Sequence, residues 1–184
     1  MTTIGLRWEG PFSLDTNENR TRFRPPNNAG VYIWAVGKEN DLRISYVGQS
    51  SNLRNRMYEH IFSTLGGAYW LYEDAHFLSG DKPSEVYRSG LENILGTYIP
   101  NFRELSVTAY RNLILNKIFW AILEANSKTR KLVESALIRD ATENEEPIQN
   151  ERVSVKPTES VSLLINAPFP NGCRLHGNGK SIQY

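Results

Sequence analysis

An arginine and a histidine lie one helical turn apart in the stretch YVGQSSNLRNRMYEH, residues 46–60. Arg56 and His60 are four residues apart, so they share one edge of the helix predicted after the Ser-Ser-Asn cluster. Such a pair could hold a phosphate group, and it could equally belong to a solvated surface. Only the residues placed around the pair can decide between these two interpretations.

Two tyrosines precede this helix in a predicted β-hairpin. The segments GVYIWAV (30–36) and RISYVG (43–48) are rich in β-branched and aromatic residues, and GKEND between them is typical of a loop. A hairpin symmetric about Glu39 places Tyr32 directly opposite Tyr46, with Cβ atoms about 5 Å apart. On statistics alone, a tyrosine pair of this kind more often packs than reacts.

A carboxylate in an apolar setting is the third chemical signal. The pattern KTRKLVESALIRD predicts a helix over 128–140, whose polar face carries Lys131, Ser135 and Arg139. Glu134 falls in the apolar arc of that helix, where a carboxylate is costly unless it is paired or binds a metal. A buried salt bridge to Arg130 or Arg56 is the structural alternative to a metal ligand.

Composition limits the classes of protein to consider. The chain has 184 residues, 40% hydrophobic and 22% charged, which predicts one globular domain over 1–184. A formal net charge of +1 argues against a general nucleic-acid binder, so any phosphate binding must be local. A single cysteine, Cys173, excludes an internal disulfide, and neither a signal pattern nor a membrane-spanning run is visible. We expect a cytoplasmic protein without a membrane partner.

The remaining segments are predicted as the frame of this site. An extended lead-in covers 1–29, and an insertion covers 62–115: irregular or hairpin-like at first, then mainly helical with an interruption at Pro100. KIFWAIL (117–123) is predicted as a buried strand, after which Ser127 caps the last helix. A further strand and a turn-rich tail are expected within 151–184.

The order of these features resembles that of one enzyme family. GVY at 30–32 and YVG at 46–48, followed by Arg56, His60, Glu134 and Asn150, are similar to the GIY-YIG nuclease pattern. ESALIRD followed by PIQN also resembles the closing motif of that family. The resemblance covers about 28–62 and 116–150, and implies an α+β fold with a small three-stranded antiparallel sheet flanked by helices. Two departures are Gln49, where many relatives have lysine, and a longer gap before Asn150.

The resemblance implies hydrolysis of a phosphodiester bond at a single-metal site. Glu134 would be the protein ligand of one Mg²⁺ or Mn²⁺ ion, with water and substrate as the other ligands. Arg56 would contact the scissile phosphate, for which its planar fork is well suited. The implied catalytic set is Tyr32, Tyr46, Arg56, His60, Glu134 and Asn150, and the implied nucleic-acid contacts are Gln49, Arg54 and Arg56.

Roles within the set follow from the same resemblance. Tyr32 is the more suitable general base or holds the attacking water, and Tyr46 supports it or contacts the phosphate. His60 assists Tyr32 or the leaving group, and Asn150 orients Glu134 or binds the backbone. Because a tyrosine pKa near ~10 makes a poor base at neutral pH, either the metal and Arg56 lower it or the proton moves during attack.

Three functions remain open at this point. The first is a metal-dependent DNA endonuclease, of restriction or repair type, which would need a homodimer or two sequential nicks to cut both strands. The second is a catalytically silent member of the same fold that binds nucleic acid or protein. The third is an unrelated α/β protein. Candidate phosphate contacts in the insertion and just after it, which could equally be ordinary surface charge, are Arg88, Arg103, Arg111 and Lys117.

Overall fold

The computed structural model of the chain describes residues 2–15, 23–38, 41–80, 83–150, 161–164 and 181–183. The strands are β1 (Thr2–Gly5), β2 (Glu9–Phe12), β3 (Gly30–Lys38), β4 (Asp41–Ser50), β5 (Leu71–Tyr72), β6 (Glu85–Tyr87), β7 (Lys117–Ile122), β8 (Val161–Leu164) and β9 (Ser181–Gln183). The helices are α1 (Leu53–Leu65), α2 (Asp74–Ser79), α3 (Leu91–Asn93), a π-helical segment (Ile94–Tyr98), α4 (Phe102–Leu115) and α5 (Ser127–Glu143).

The central sheet is antiparallel and has four strands in the order β2-β7-β3-β4. The predicted strands around 30–36, 43–48 and 117–123 are confirmed, but the expected count of three is wrong. The extra strand, β2, comes from the lead-in and pairs with β7. Its sequence EGPF hides it, because glycine and proline argue against a strand and proline is tolerated at a sheet edge.

The two faces of this sheet are covered by different helices. Val31, Ile33 and Ala35 of β3 belong to a core packed on α5. Tyr32 and Trp34, which alternate with them, belong to a second core that includes Leu53 and Met57 of α1. The period of two along β3 therefore directs aliphatic side chains to α5 and aromatic ones to α1.

A β-bulge changes the register of the hairpin. Lys38 pairs with Asp41 and Ala35 with Ile44, but Trp34 pairs with Tyr46, so Ser45 is the extra residue. The hairpin is thus not symmetric about Glu39, and Tyr32 lies opposite Gly48 rather than Tyr46. The two tyrosines nevertheless point to one face, because they are diagonal neighbours two positions apart, with ring centroids separated by 6.1 Å.

The segment after α5 covers the outer edge of β4. A carboxylate oxygen of Glu146 accepts from Ile44 N at 3.1 Å, and Gln149 N donates to Ser45 O at 2.7 Å. The Asn150 side chain accepts from Val47 N and donates to Val47 O, both at 2.8 Å. Backbone groups that an edge strand would leave open are therefore satisfied.

The insertion forms a small unit beside α1. β5 and β6 pair antiparallel around α2, which confirms a hairpin-like start. The helical second part is also confirmed, and Pro100 lies in the turn before α4. No helix in the described parts of the chain is long and apolar enough to cross a membrane.

The C-terminal region is described only as two short strands. β8 pairs parallel with β1 and antiparallel with β9. β8 lies within the strand expected after residue 151, whereas the rest of that expectation and the turn-rich tail fall outside the described residues.

Candidate active site

The start of α1 fixes the position of the cationic pair. Asn52 caps the helix, its side-chain oxygen accepting from Asn55 N at 3.0 Å, as expected for the Ser-Ser-Asn cluster. Leu53 and Met57 are fully buried against the sheet. This anchoring turns Arg56 and His60 towards the aromatic face of β3 and β4.

Tyr32 joins these two side chains through its hydroxyl group. Nε of Arg56 donates to the phenol oxygen at 3.1 Å, and the same oxygen lies 2.7 Å from Nε2 of His60. An arginine can only donate, so we assign the phenol O–H as donor to His60, with the imidazole proton on Nδ1. The predicted grouping of Tyr32, Arg56 and His60 is therefore a continuous hydrogen-bonded chain.

Close packing explains the glycines of the two tripeptides. Tyr32 of β3 pairs with Gly48 of β4, and a Cβ at Gly48 would overlap its phenol ring. A Cβ at Gly30 would overlap Ala121 O and come within 2.8 Å of Leu53 Cδ1. Gly48 therefore makes room for the tyrosine and Gly30 for the helix that carries Arg56.

Burial dominates the protonation of this group. It raises the pKa of Tyr32 well above its usual value, Tyr46 adds to the rise, and Arg56 only partly offsets it. Burial, together with the Arg56 cation, lowers the pKa of His60 to about 3. At neutral pH the chain itself therefore holds a neutral phenol hydrogen-bonded to a neutral imidazole.

The two tyrosines differ in accessibility. Tyr32 is 0% exposed, whereas Tyr46 is partly exposed and lines a cavity of about 550 Å³ together with Arg56 and His60. The two phenol rings are neighbours, with centroids 6.1 Å apart. Of the two phenols, Tyr46 is thus the one positioned to touch a substrate, and Tyr32 lies behind it.

Glu134 accepts a hydrogen bond from the backbone of Gln49 in β4 and does not line this cavity. It is half-buried rather than enclosed in the apolar arc, while Ser135, expected on the polar face, is buried. α5 is rotated from the expected orientation, and it begins after Asn126, which caps it in place of Ser127 by accepting from Thr129 N.

The surroundings of Glu134 leave its charge incompletely compensated. Burial raises its pKa, while a hydrogen bond from the Gln49 backbone and the cations of Lys131 and Arg56 oppose the rise. No ion pair within 4.0 Å joins Glu134 to another residue that the structure describes. The structural alternative, a salt bridge to Arg130 or Arg56, is not found there, and Arg130 instead donates to Gln49 Oε1 and Ala125 O.

The remaining predicted residues have structural partners. The side chain of Asn150 hydrogen-bonds the main chain of Val47. Gln49 Oε1 accepts a hydrogen bond from Arg130. Arg54 is exposed, donates to Pro25 O at 3.1 Å, and does not line the cavity. In the insertion, Arg88 pairs with Glu85 and Arg111 with Asp74. Arg103 is exposed and Lys117 is partly exposed.

Sequence reasoning missed several residues that line the cavity. Trp34 could have been found from strand periodicity, because it lies two residues after Tyr32 on the same face. Tyr69, Trp70 and Tyr72 come from the insertion, and no motif singled them out.

Comparison of the chain with protein-family models, with curated proteins and with solved structures found no match.

Proposed function

We propose that this chain is a divalent-metal-dependent DNA endonuclease of the GIY-YIG type. The observation that carries the proposal is the hydrogen-bonded Arg56–Tyr32–His60 group. A half-buried carboxylate, Glu134, is carried by α5, which packs on β4. An antiparallel sheet with tyrosines on adjacent strands, followed by a helix with arginine and histidine, supports the same class.

The donor set near the site fits a metal held by one carboxylate. Glu134, half-buried on α5, would be the single protein ligand, completed by water and phosphate oxygens, a set that suits Mg²⁺ or Mn²⁺. A bound cation would supply positive charge to the phosphate and acidify the attacking water.

Proton transfer is proposed to run through the phenols. Tyr46, at the cavity wall, contacts the attacking water, and Tyr32 connects it to His60 through the 2.7 Å hydrogen bond. The raised pKa of Tyr32 excludes a standing phenolate, so the proton moves as attack proceeds. His60 accepts the hydrogen bond of the Tyr32 hydroxyl and orients it, and because the pKa of His60 is about 3 the proton is not kept there but passes on to solvent.

Arg56 is proposed to stabilise charge on the phosphate. Its Nε is held by the Tyr32 oxygen, and NH1 pairs with Glu59 at 2.9 Å on the exposed side. Glu59 is solvent-exposed, so substrate can replace it at little cost. The guanidinium is therefore pre-oriented by Tyr32 and can be released towards an anion.

A catalytically silent member of the same fold that binds nucleic acid or protein is the second candidate. The net charge of +1 favours it, because a nuclease acting on long DNA usually presents an excess of cations.

Cleavage of supercoiled plasmid with and without Mg²⁺ tests the proposal, with Glu134→Gln as the decisive variant. We expect nicking by the parent only with metal, and none by the variant. Because the Glu134 charge is disfavoured by burial, the variant should melt in EDTA at the same temperature as the parent or higher. Mn²⁺ should raise the melting temperature of the parent alone.

Glu143→Gln is the matched control, since it removes an exposed carboxylate at the end of the same helix. It should cut and respond to Mn²⁺ like the parent. A large loss of stability of Glu134→Gln in EDTA, or an unchanged Mn²⁺ response, would mean that Glu134 is not the metal ligand and that the proposed mechanism is wrong. A parent that binds DNA without cutting it would favour the silent member.

A further inference from the structure

The cavity beside Arg56 and His60 is far more aromatic than phosphate chemistry requires. Its volume of about 550 Å³ lies between the central sheet, α1 and the insertion. Six aromatic side chains line it: Trp34, Tyr46, Tyr69, Trp70, Tyr72 and Phe77. Four of them come from the insertion, so this part of the chain builds most of the aromatic wall.

The amide side chains of the wall are used to hold it in shape. Asn112 accepts from Tyr72 N at 2.8 Å and donates to Tyr72 O at 2.9 Å, and Asn116 donates to Asn112 O at 2.6 Å. The indole N–H of Trp34, in contrast, is buried without a hydrogen-bond partner among the described residues. The cavity is thus a pre-formed aromatic space, and the Trp34 nitrogen is enclosed behind its wall.

A flat aromatic ring matches this space. Aromatic walls stack on such rings, and a cavity of this size holds a nucleobase with its sugar. Arg56 and His60 at the same cavity place the ring next to a phosphate. A base inside a duplex cannot enter, because its faces are stacked and its edge is paired.

We propose that this cavity receives an unpaired nucleobase adjacent to the phosphate at Arg56. The preferred substrate class is accordingly DNA with an extrahelical or unpaired nucleotide at the cutting site. This inference rests on the proposed function, because it takes the phosphate at Arg56 to be that of DNA.

Trp70 is the stacking residue at the rim of the cavity. It is 41% exposed, and the guanidinium of Arg88 lies 4.9 Å from its ring centroid on one side. A rim tryptophan backed by a cation is fixed in orientation and keeps a ring surface for a base. Its exposure also makes it replaceable without opening a hole in the core.

Affinities for three labelled duplexes test the inference in EDTA, where no cutting occurs. One duplex is fully paired, one carries a single-nucleotide bulge, and one carries the same bulge without its base. The abasic bulge keeps the charge and flexibility of the backbone. We expect the base-containing bulge to bind about tenfold more tightly than either of the other two, from the stacking of one base.

Trp70→Ala should reduce that tenfold preference to about twofold or less, and Trp70→Phe should retain most of it. Tyr110→Ala is the matched control, since Tyr110 is an exposed aromatic residue that does not line the cavity. It should keep the full preference. Equal binding of the two bulges, or an intact preference in Trp70→Ala, would overturn the inference.

The two proposals fail separately. If paired plasmid is nicked with Mg²⁺ but the base-containing and abasic bulges bind with equal affinity, the proposed nuclease activity is supported and the base-binding cavity is refuted. If the base-containing bulge binds more tightly but no DNA is cut with Mg²⁺, the base-binding cavity is supported and the proposed nuclease activity is refuted. Failure to bind any of the three duplexes overturns the inference.

Discussion

The two faces of β3 bury side chains equally well but of different kinds. Towards α5, Val31, Ile33 and Ala35 meet an almost wholly aliphatic surface. Towards α1, Tyr32 and Trp34 meet a histidine and an arginine, and the buried polar atoms of Tyr32 and His60 bond each other. The α5 face needs only shape and apolar area, whereas the α1 face also needs a matched set of donors and acceptors.

This difference separates stability from chemistry within one sheet. Changes on the α5 face should unfold the chain without altering the site, and changes on the α1 face should do the reverse. Glu134 is the exception, because α5 carries it and the proposed function uses it; burial raises its pKa, and the cations of Lys131 and Arg56 oppose the rise. The three predictions that follow test this separation.

The largest effect is expected from Phe119→Ala on the α5 face. Phe119 is fully buried between β7 and α5, so truncation should cost about 3–5 kcal/mol of unfolding free energy. Tyr32→Phe is the partner change on the α1 face and should cost roughly 1–2 kcal/mol, since it leaves one buried hydrogen-bonding site empty. Urea unfolding measures both. Similar costs at the two sites would refute the contrast between the faces.

Arg56→Ala should remove cleavage while sparing the fold. Loss of a charged contact to the transition state costs roughly 3–4 kcal/mol, a hundred- to thousandfold in rate. The side chain is about one-third exposed, so the melting temperature should change little. Arg7→Ala is the control, because it removes an equal charge from an exposed position remote in sequence. If the Arg56→Ala variant cuts DNA at nearly the parental rate, Arg56 has no role in cleavage and is only a surface charge.

His60 should make the protein sensitive to acid. Its pKa in the folded state is about 3, against about 6.5 in the unfolded chain. Between these values the unfolded state binds the extra proton, so stability falls as the pH is lowered through this window. The loss is a few kcal/mol, with an upper bound of about 5 kcal/mol if the whole shift is realised.

His60→Gln isolates this contribution from the carboxylates that also titrate in acid. Glutamine can still accept from the Tyr32 hydroxyl but does not titrate. The difference in unfolding free energy between parent and variant should therefore shrink or reverse from pH 7 to pH 4. Parallel pH profiles for the two proteins would mean that His60 is not buried in its neutral form.

The framework of the fold could be predicted where local patterns are strong. The runs GVYIWAV, RISYVG and KIFWAIL carry their strand character in composition, and Asn52 in a polar cluster indicates a helix start. β2 was missed because Gly10 and Pro11 mask it. The bulge at Ser45 was missed because one extra residue leaves no trace in hydropathy, although it shifts every pair before Trp34.

The candidate site shows the same limit at the level of side chains. Helical spacing placed Arg56 with His60, and a common strand face placed Tyr32 with Tyr46. The rotation of α5, which leaves Glu134 half-exposed, depends on how its apolar residues fit the sheet and is not encoded by the helical period alone. The cavity is formed by contacts between the insertion and the sheet, which are far apart in sequence. No local sequence pattern therefore predicts that Trp70 lines it.

The cover on β4 restricts how two copies of this chain could assemble. Glu146, Gln149 and Asn150 already occupy the backbone groups along the outer edge of that strand. A second molecule cannot continue the sheet there without first displacing this segment. A dimer of this chain would therefore have to form elsewhere than by joining sheets at β4.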